Sequence, residues 1–248
     1  PGDDFISAFG HRYLSLELDI TPNRPDAFSH QGVARDIACA TGRTFTPLIV
    51  EPVPSDEIQS LTISMENEAD CPRYIGGIVK NVQVGPSPEW IVERLKAAGQ
   101  RSINNIVDIS NYVLLEMGHP THIFDFDTLG NKEIHVRRAK KGESFTTLDE
   151  QKHTLDGTHL LITDGKMPVA LAGIMGGLGS AVSDTTTTVL VESAYFNPVT
   201  IRKSAKSLSM STDASKRFER GADPDGCVPS FWRVIFLLKE FAGGELIS

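Results

Sequence analysis

Cysteine is scarce in this chain. Cys39, Cys71 and Cys227 are the whole complement of 248 residues. They are odd in number, far apart and without a Cys-x-x-Cys spacing, which excludes a disulfide framework and a zinc knuckle and fits a reducing compartment, the cytoplasm. Long apolar runs are missing as well: nothing approaches the roughly eighteen residues of a membrane-spanning helix, and no basic start leads into an apolar stretch as a secretion signal would. Positive charge is the third deficit. With 24 Lys+Arg against 32 Asp+Glu the formal net charge is −8, which argues against a general nucleic-acid binder, because Lys and Arg contacts to phosphate supply most of such affinity. What remains is an ordinary globular composition, 40% hydrophobic, long enough for one large core or two modest ones.

The acidity is unevenly spread. Residues 1–70 hold 12 acidic and 4 basic side chains, a net of −8, so residues 71–248 hold the remaining 20 of each and are neutral. Within that neutral part, residues 131–141 carry five basic and one acidic side chain, and residues 201–221 carry six basic and two acidic. Two local basic surfaces are therefore compatible with an acidic total. The chain opens on Pro1 and closes just after the apolar segment FWRVIFLLKEFAGG, which is expected to be a helix stopped by Gly243 and Gly244. A fragment of a longer polypeptide is the expected origin.

Residues 14–20, LSLELDI, alternate apolar and polar, the pattern of a strand with one buried face. After the rigid TPNRPD turn, Ser29 is expected to cap a helix over about 30–41 whose apolar positions Val33, Ala34, Ile37 and Ala38 share one face and which ends at Gly42. Residues 43–58, rich in Pro, Thr and acid, are expected to be a linker at a domain boundary. Beyond residue 60, short β-rich runs (LTISM, RYIGGIVKNVQV, EIHVR, HLLITD, VLVESAYF) are interrupted by helices. One helix is expected after Ser87-Pro88, with Ser87 as its cap and Gly99 as its end, and a second over about 104–117, stopped by Gly118. Strands and helices do not alternate regularly, so the expected fold class is α+β, with mixed or antiparallel sheets and packed helices.

Four segments carry candidate chemistry. His119 and His122, followed by Asp125 and Asp127, offer imidazole and carboxylate donors for a metal, but Pro120 breaks a helix that would align the rings, and the Asp residues suit turn capping. The glycine-rich stretch Ala172–Ser180 lacks the Gly-Lys-Ser/Thr of a phosphate loop and the following helix of a dinucleotide site. It gives backbone that can approach another surface closely, or a set of tight turns. Glu192 interrupts Val189-Leu190-Val191. It is solvated if one face of the strand is open, and a recognition carboxylate if both faces are buried, where an unpaired charge is costly. The stretch Ser211–Gly221 opens with helix-capping residues, and its bases would meet phosphate or form a solvated helix face.

Five segments, in this order, resemble the β subunit of bacterial phenylalanyl-tRNA synthetase: LELDITPNRPDAFSHQGVARDIA (16–38), RSINNIVDISNYVLLEMGHPTHIFD (101–125), ALAGIMGG (170–177), LVESAYFNP (190–198) and STDASKRFERGADP (211–224). Ile123 and Ser110 depart from that family, which usually has Ala and Thr there; neither change removes a functional group. The resemblance implies three parts: residues 1–55 as the C-terminal part of a split N-terminal domain plus linker, 56–226 as the editing domain, and 227–248 as a helix leading to a further domain. It implies hydrolysis of tyrosine wrongly attached to the phenylalanine tRNA. His122 would position water or the ester, and Glu192 would accept the phenolic hydroxyl. Gly173 and Gly176 would let backbone lie against the amino acid, Thr212 and Ala214 would line the pocket, and Asn111 with Ser110 would hold the substrate. Arg137, Arg138, Lys216 and Arg217 would contact tRNA. It further implies an α subunit in an assembly of two α and two β chains, and ATP and Mg²⁺ used by the whole synthetase, with no metal or cofactor in this fragment. Two alternatives stand beside this reading. A non-catalytic tRNA-docking or subunit-assembly module would leave Glu192 and His122 far apart, and a metal-dependent hydrolase would gather His119, His122 and Asp125.

Overall fold

The computed structural model describes residues 15–53 and 61–247. In chain order its elements are α1 (His30–Thr41), β1 (Thr62–Met65), β2 (Arg73–Lys80), α2 (Glu89–Ala97), α3 (Asn105–Met117), β3 (Thr121–Asp125), β4 (Glu133–Arg138), β5 (Glu143–Thr146), β6 (Lys152–Leu155), β7 (Leu160–Thr163), β8 (Pro168–Leu171), β9 (Met175–Gly176), β10 (Val189–Tyr195), α4 (Pro198–Ser207), α5 (Asp213–Phe218), α6 (Cys227–Ala242) and β11 (Glu245–Leu246). This is an α+β fold. No helix among the described residues is long and apolar enough to cross a membrane.

Capping chemistry sets most helix ends. The Ser29 hydroxyl accepts the Gly32 N–H at the start of α1, and Asn104 accepts the Val107 N–H at the start of α3. Gly42 and Gly118 close these helices in the left-handed region, at φ 65° and 81°. The expected role of Ser87 is corrected: Pro88 occupies the cap position of α2 without a side-chain cap, and the Ser87 hydroxyl donates instead to the buried Asp108 carboxylate, 2.5 Å away. Asp108 also accepts from the Ser102 hydroxyl and the Ile103 N–H, so it fastens the approach to α3.

Nine of the eleven strands among the described residues form two large sheets. One has the order β1-β4-β7-β8-β9, with β1 parallel to β4 and the other pairs antiparallel; the other has the order β11-β2-β10-β3 and is antiparallel throughout. β5 and β6 form a separate hairpin pair. β10 lies inside the second sheet and is apolar on both sides. Leu190 and Ala194 join Ile78 and Phe124 in a cluster shared with β4, β7, α4 and α5; Val189 and Val191 join Val79 and Ile123 in a cluster packed by α2, α3 and α6. Each fully buried aliphatic or aromatic side chain here contributes roughly 1.5–3 kcal/mol.

One expectation needs correction. Residues 15–20 carry no regular structure, and Leu16 and Leu18 are 73% and 50% exposed; Leu14 lies outside the described residues. Alternation has no strand to build when no described segment lies alongside to pair with it. Of the four apolar residues sharing one face of α1, Ala38 is buried and Ile37 is 52% exposed. The expected linker 43–58 has no regular structure through residue 53, and residues 54–58 lie outside the described residues. The first segment nonetheless has firm contacts. His30 Nδ1 meets the Leu115 carbonyl at 3.0 Å, the Arg217 guanidinium donates to the Phe28 carbonyl, and Arg220 stacks over the Phe28 ring at 4.6 Å. At the other end, α6 buries Phe231, Val234 and Leu238 in the second cluster, and β11 pairs with β2. Residues 227–247 thus belong to the same packed unit as the sheets.

Candidate functional site

Glu192 sits in the middle of β10, paired with Gly76 of β2 on one side and His122 of β3 on the other. Its side chain is on the same face as Leu190 and Ala194, and only 5% exposed. A charge in such a place needs partners. The Tyr74 hydroxyl, from β2, donates to Glu192 Oε2 at 2.7 Å. Burial pushes the Glu192 carboxyl up to about 7, against the opposing effect of the Tyr74 hydrogen bond.

His122 faces Glu192 across the β3–β10 register, its ring edge-on to Phe124 with centroids 4.4 Å apart. Burial pulls its pKa down to about 4, so the imidazole is neutral at physiological pH. Neither ring nitrogen has a protein partner among the described residues. The glycine stretch presses against this ring. A Cβ on Gly176 would stand 2.6 Å from His122 Cε1 and Nε2, and Gly173, at φ +66°, turns its backbone against Phe218, Ile201 and Phe196. Only glycine lets these two surfaces meet.

α5 supplies the remaining wall. Thr212 caps it, accepting the Ser215 N–H while Ser215 reciprocates toward the Thr212 N–H. The Thr212 hydroxyl donates to the Ile174 carbonyl at 2.9 Å, tying the helix start to the glycine loop. Glu192, His122, Gly173, Gly176, Ala214 and Phe218 together line a cavity of about 60 Å³. The arrangement pairs a buried acceptor with a neutral imidazole at neighbouring positions, over backbone stripped of side chains.

The family model described as B3/4 domain matches residues 70–243, well over half of the chain. This chain belongs to the B3/4 domain family. The phenylalanine–tRNA ligase beta subunit of Geobacter sulfurreducens is 49% identical over 249 aligned positions, covering 100% of this chain and 31% of the relative. That of Geobacillus kaustophilus is 47% identical with the same coverage. The chain thus spans about a third of the length of these curated relatives. Among solved structures, an N-terminal fragment of the phenylalanyl-tRNA synthetase beta subunit from Pyrococcus horikoshii is similar in fold, with a TM-score of 0.52, 18% identity, and 91% of this chain and 60% of that one covered.

Within this B3/4 unit the other expected site residues are spread out. Ser110 does not line the cavity; its hydroxyl bonds the carbonyl and hydroxyl of Thr121, which does. Asn111 is half-buried on α3, away from the lining. Three of the four expected tRNA cations are engaged internally. Arg137 makes a two-pronged pair with Glu143, Arg138 pairs with the buried Asp70 and reaches the Thr200 hydroxyl, and Arg217 is 5% exposed with its guanidinium on the Phe28 and Asp213 carbonyls. Lys216 is exposed and has no bonded partner among the described residues. The residues of the metal reading hold other contacts: His119 Nε2 bonds the Ala194 carbonyl, and Asp125 accepts from the Thr186 hydroxyl and the Asp127 N–H. No group of three or more His, Cys, Asp or Glu side chains placed to hold a metal ion is found among the described residues. Tyr74, which bonds Glu192, and the lining residues Thr121, Ile174, Met175 and Phe218 are among the site residues that sequence reasoning missed. Tyr74 carried one faint signal, its place in the run RYIGGIVK that forms β2.

Proposed function

We propose that this chain is the editing region of a phenylalanyl-tRNA synthetase β subunit and hydrolyses tyrosine mis-attached to the phenylalanine tRNA. The observation that supports it most is the convergence of Glu192 and His122, 70 residues apart in sequence, at one register position beside the glycine loop. A docking module has no need of that juxtaposition.

The chemistry follows from what a synthetic pocket for phenylalanine fails to do. A hydrophobic pocket refuses an isostere with one added hydroxyl only weakly, so a second site must recognise that hydroxyl positively. In this reading Glu192 accepts it in a charge-assisted hydrogen bond. An aminoacyl ester is already activated, and its hydrolysis is limited by placing a water in line with the carbonyl. A neutral His122 with a pKa near 4 is a weak base, so its role is to orient that water by hydrogen bonding, with the terminal ribose hydroxyl of the tRNA assisting. Ser110 acts through Thr121, and Asn111 meets the part of the substrate outside the cavity.

ATP and Mg²⁺ belong to amino-acid activation by the whole synthetase, which is proposed to join two β chains to two α subunits in the cytoplasm. The glycine stretch here does not fit a nucleotide phosphate. Its Ile174 and Gly177 N–H groups already bond the Leu171 and Val169 carbonyls, and a Cβ on Gly177 would meet Phe145. No step of the editing reaction is routed through either group.

The test is deacylation of Tyr-tRNA and Phe-tRNA by the full-length protein. His122→Ala should slow release of tyrosine at least tenfold. Glu192→Ala should lose the preference for the tyrosyl ester, a loss of about tenfold or more for a hydrogen bond to a charged group. A purified Glu192→Ala protein with wild-type selectivity would overturn the reading.

A further inference from the structure

The Glu192 carboxylate already carries one phenol. Tyr74 and Glu192 lie on neighbouring strands, with Tyr74 paired to Ala194 and therefore diagonal to Glu192 on the same face of the sheet. Its hydroxyl occupies Oε2 at 2.7 Å, and no described protein group donates to Oε1, which belongs to a side chain lining the cavity. Resting on the editing reading, we propose that Tyr74 is a positioning residue for amino-acid discrimination: its phenol holds one oxygen of Glu192, fixing the side chain and keeping it an acceptor so that the other oxygen takes the hydroxyl of a bound tyrosyl ester.

The argument turns on what a carboxyl group does in each protonation state. As an anion it accepts only, at both oxygens, in charge-assisted bonds; once protonated it still bonds a phenol, but more weakly, and it no longer has a buried charge that demands a donor. With the anion, a phenylalanyl ester leaves a buried, charged Oε1 without a donor, and that penalty is the discrimination. Burial works against the anion and brings the carboxyl to about 7. Tyr74 opposes that shift, and its own pKa is raised well above the ordinary value by burial and by Glu192, so it stays a donor throughout. The groups around the carboxyl are few. β2 brings Tyr74, with the Cys71 thiol just before it; β3 brings His122; the glycine loop and α5 present uncharged residues to the cavity. Burial raises the Cys71 thiol and lowers His122 to about 4. Neither titrates near neutrality, so an acid limb in selectivity between pH 6 and 8 reports Glu192.

The experiment measures, in the full-length protein, the ratio of kcat/KM for Tyr-tRNA over Phe-tRNA from pH 5.5 to 8.5. In wild type the ratio should rise through a midpoint near 7. Tyr74→Phe deletes one oxygen and should move that midpoint up by about one unit or more, the size expected when a hydrogen bond to a charged group is removed, so that selectivity at pH 7 falls several-fold and recovers at alkaline pH. Replacing Tyr74 with 3-fluorotyrosine, a stronger donor, should move it down, which keeps the inference testable if Tyr74→Phe folds poorly. An unmoved midpoint in both variants, or a loss of rate equal for both esters at every pH, would overturn the role of Tyr74 while leaving editing intact. A wild-type protein without tyrosine preference would instead remove the editing reading and this inference with it.

Discussion

Glu192 occupies a position where an apolar side chain would stabilise the fold. Its neighbours on β10 are fully buried on both faces of the sheet, and the raised pKa measures the cost of holding a charge among them. Because the folded carboxyl protonates at about 7 rather than at its ordinary 4.5, its contribution to stability is fully present below about 4.5 and is lost as pH rises through 7. Glu192→Gln keeps an acceptor for Tyr74 without that loss. The purified variant should match wild type near pH 4.5 and exceed it at pH 8 by roughly 3 kcal/mol, the free energy of moving a carboxyl from 4.5 to about 7; urea unfolding at the two pH values checks this, and equal stability at pH 8 would contradict it. In the sequence, VLVES left the carboxylate either solvated or recognising, and only burial of both faces of β10 removes the solvated reading. The role of Tyr74 was not legible for a related reason: it arises from a partner 118 residues away, fixed by the β2–β10 register, and the strand run RYIGGIVK marks only its place.

At the level of elements, local signals were sound where they were chemical. Asn104 and Gly118 bracket α3, and the apolar runs RYIGGIVK and VLVESAY became the two long strands of the second sheet. β3 escaped because His, Pro and Asp around it speak for a turn, and its strand character comes only from pairing with β10. Thr212 shows how a cap legible in sequence acquires a second function. As an N-cap it satisfies the Ser215 N–H, and through the Ile174 carbonyl it also holds the glycine loop against α5. Thr212→Val, which keeps the volume and removes the oxygen, should destabilise the purified chain by about 1–2 kcal/mol and raise hydrogen exchange in residues 172–177 and 212–218 together. Thr212→Ser should restore both. Faster exchange confined to the helix would mean that the hydroxyl serves as a cap alone.

Charge has to be read over the whole molecule. Net −8 conceals a neutral unit after residue 70, and folding then sorts that unit's cations into two kinds. Arg137, Arg138 and Arg217 are held by Glu143, Asp70 and the Phe28 carbonyl, so the basic stretch at 131–141 gives its two arginines to internal pairs. Arg202, Lys203 and Lys206 are different. They are exposed on α4, without bonded partners among the described residues, while the opposite face of the same helix buries Ile201, Ser204 and Ala205. Ile201 reaches Gly173, and α4 packs on α5, so the apolar face of α4 backs the glycine loop and its cationic face is turned outward. Clustering in the sequence gave no means of telling paired from unpaired bases, because the carboxylates that take them lie up to 68 residues away. The proposed tRNA partner offers a test of whether this outer face takes its phosphates. Lys203→Gln with Lys206→Gln should weaken binding of the tRNA ester and reduce the slope of log K against log salt by about 0.7 for each phosphate no longer neutralised, while the ratio of tyrosyl to phenylalanyl hydrolysis stays as it was. Arg138→Gln should do the reverse, lowering stability by about 1–3 kcal/mol, since Asp70 loses its cation but keeps the Thr200 hydroxyl and the Asn67 amide as donors, with no change in the salt slope. A salt slope that responds to Arg138 and ignores the α4 lysines would show that the RNA approaches from another side.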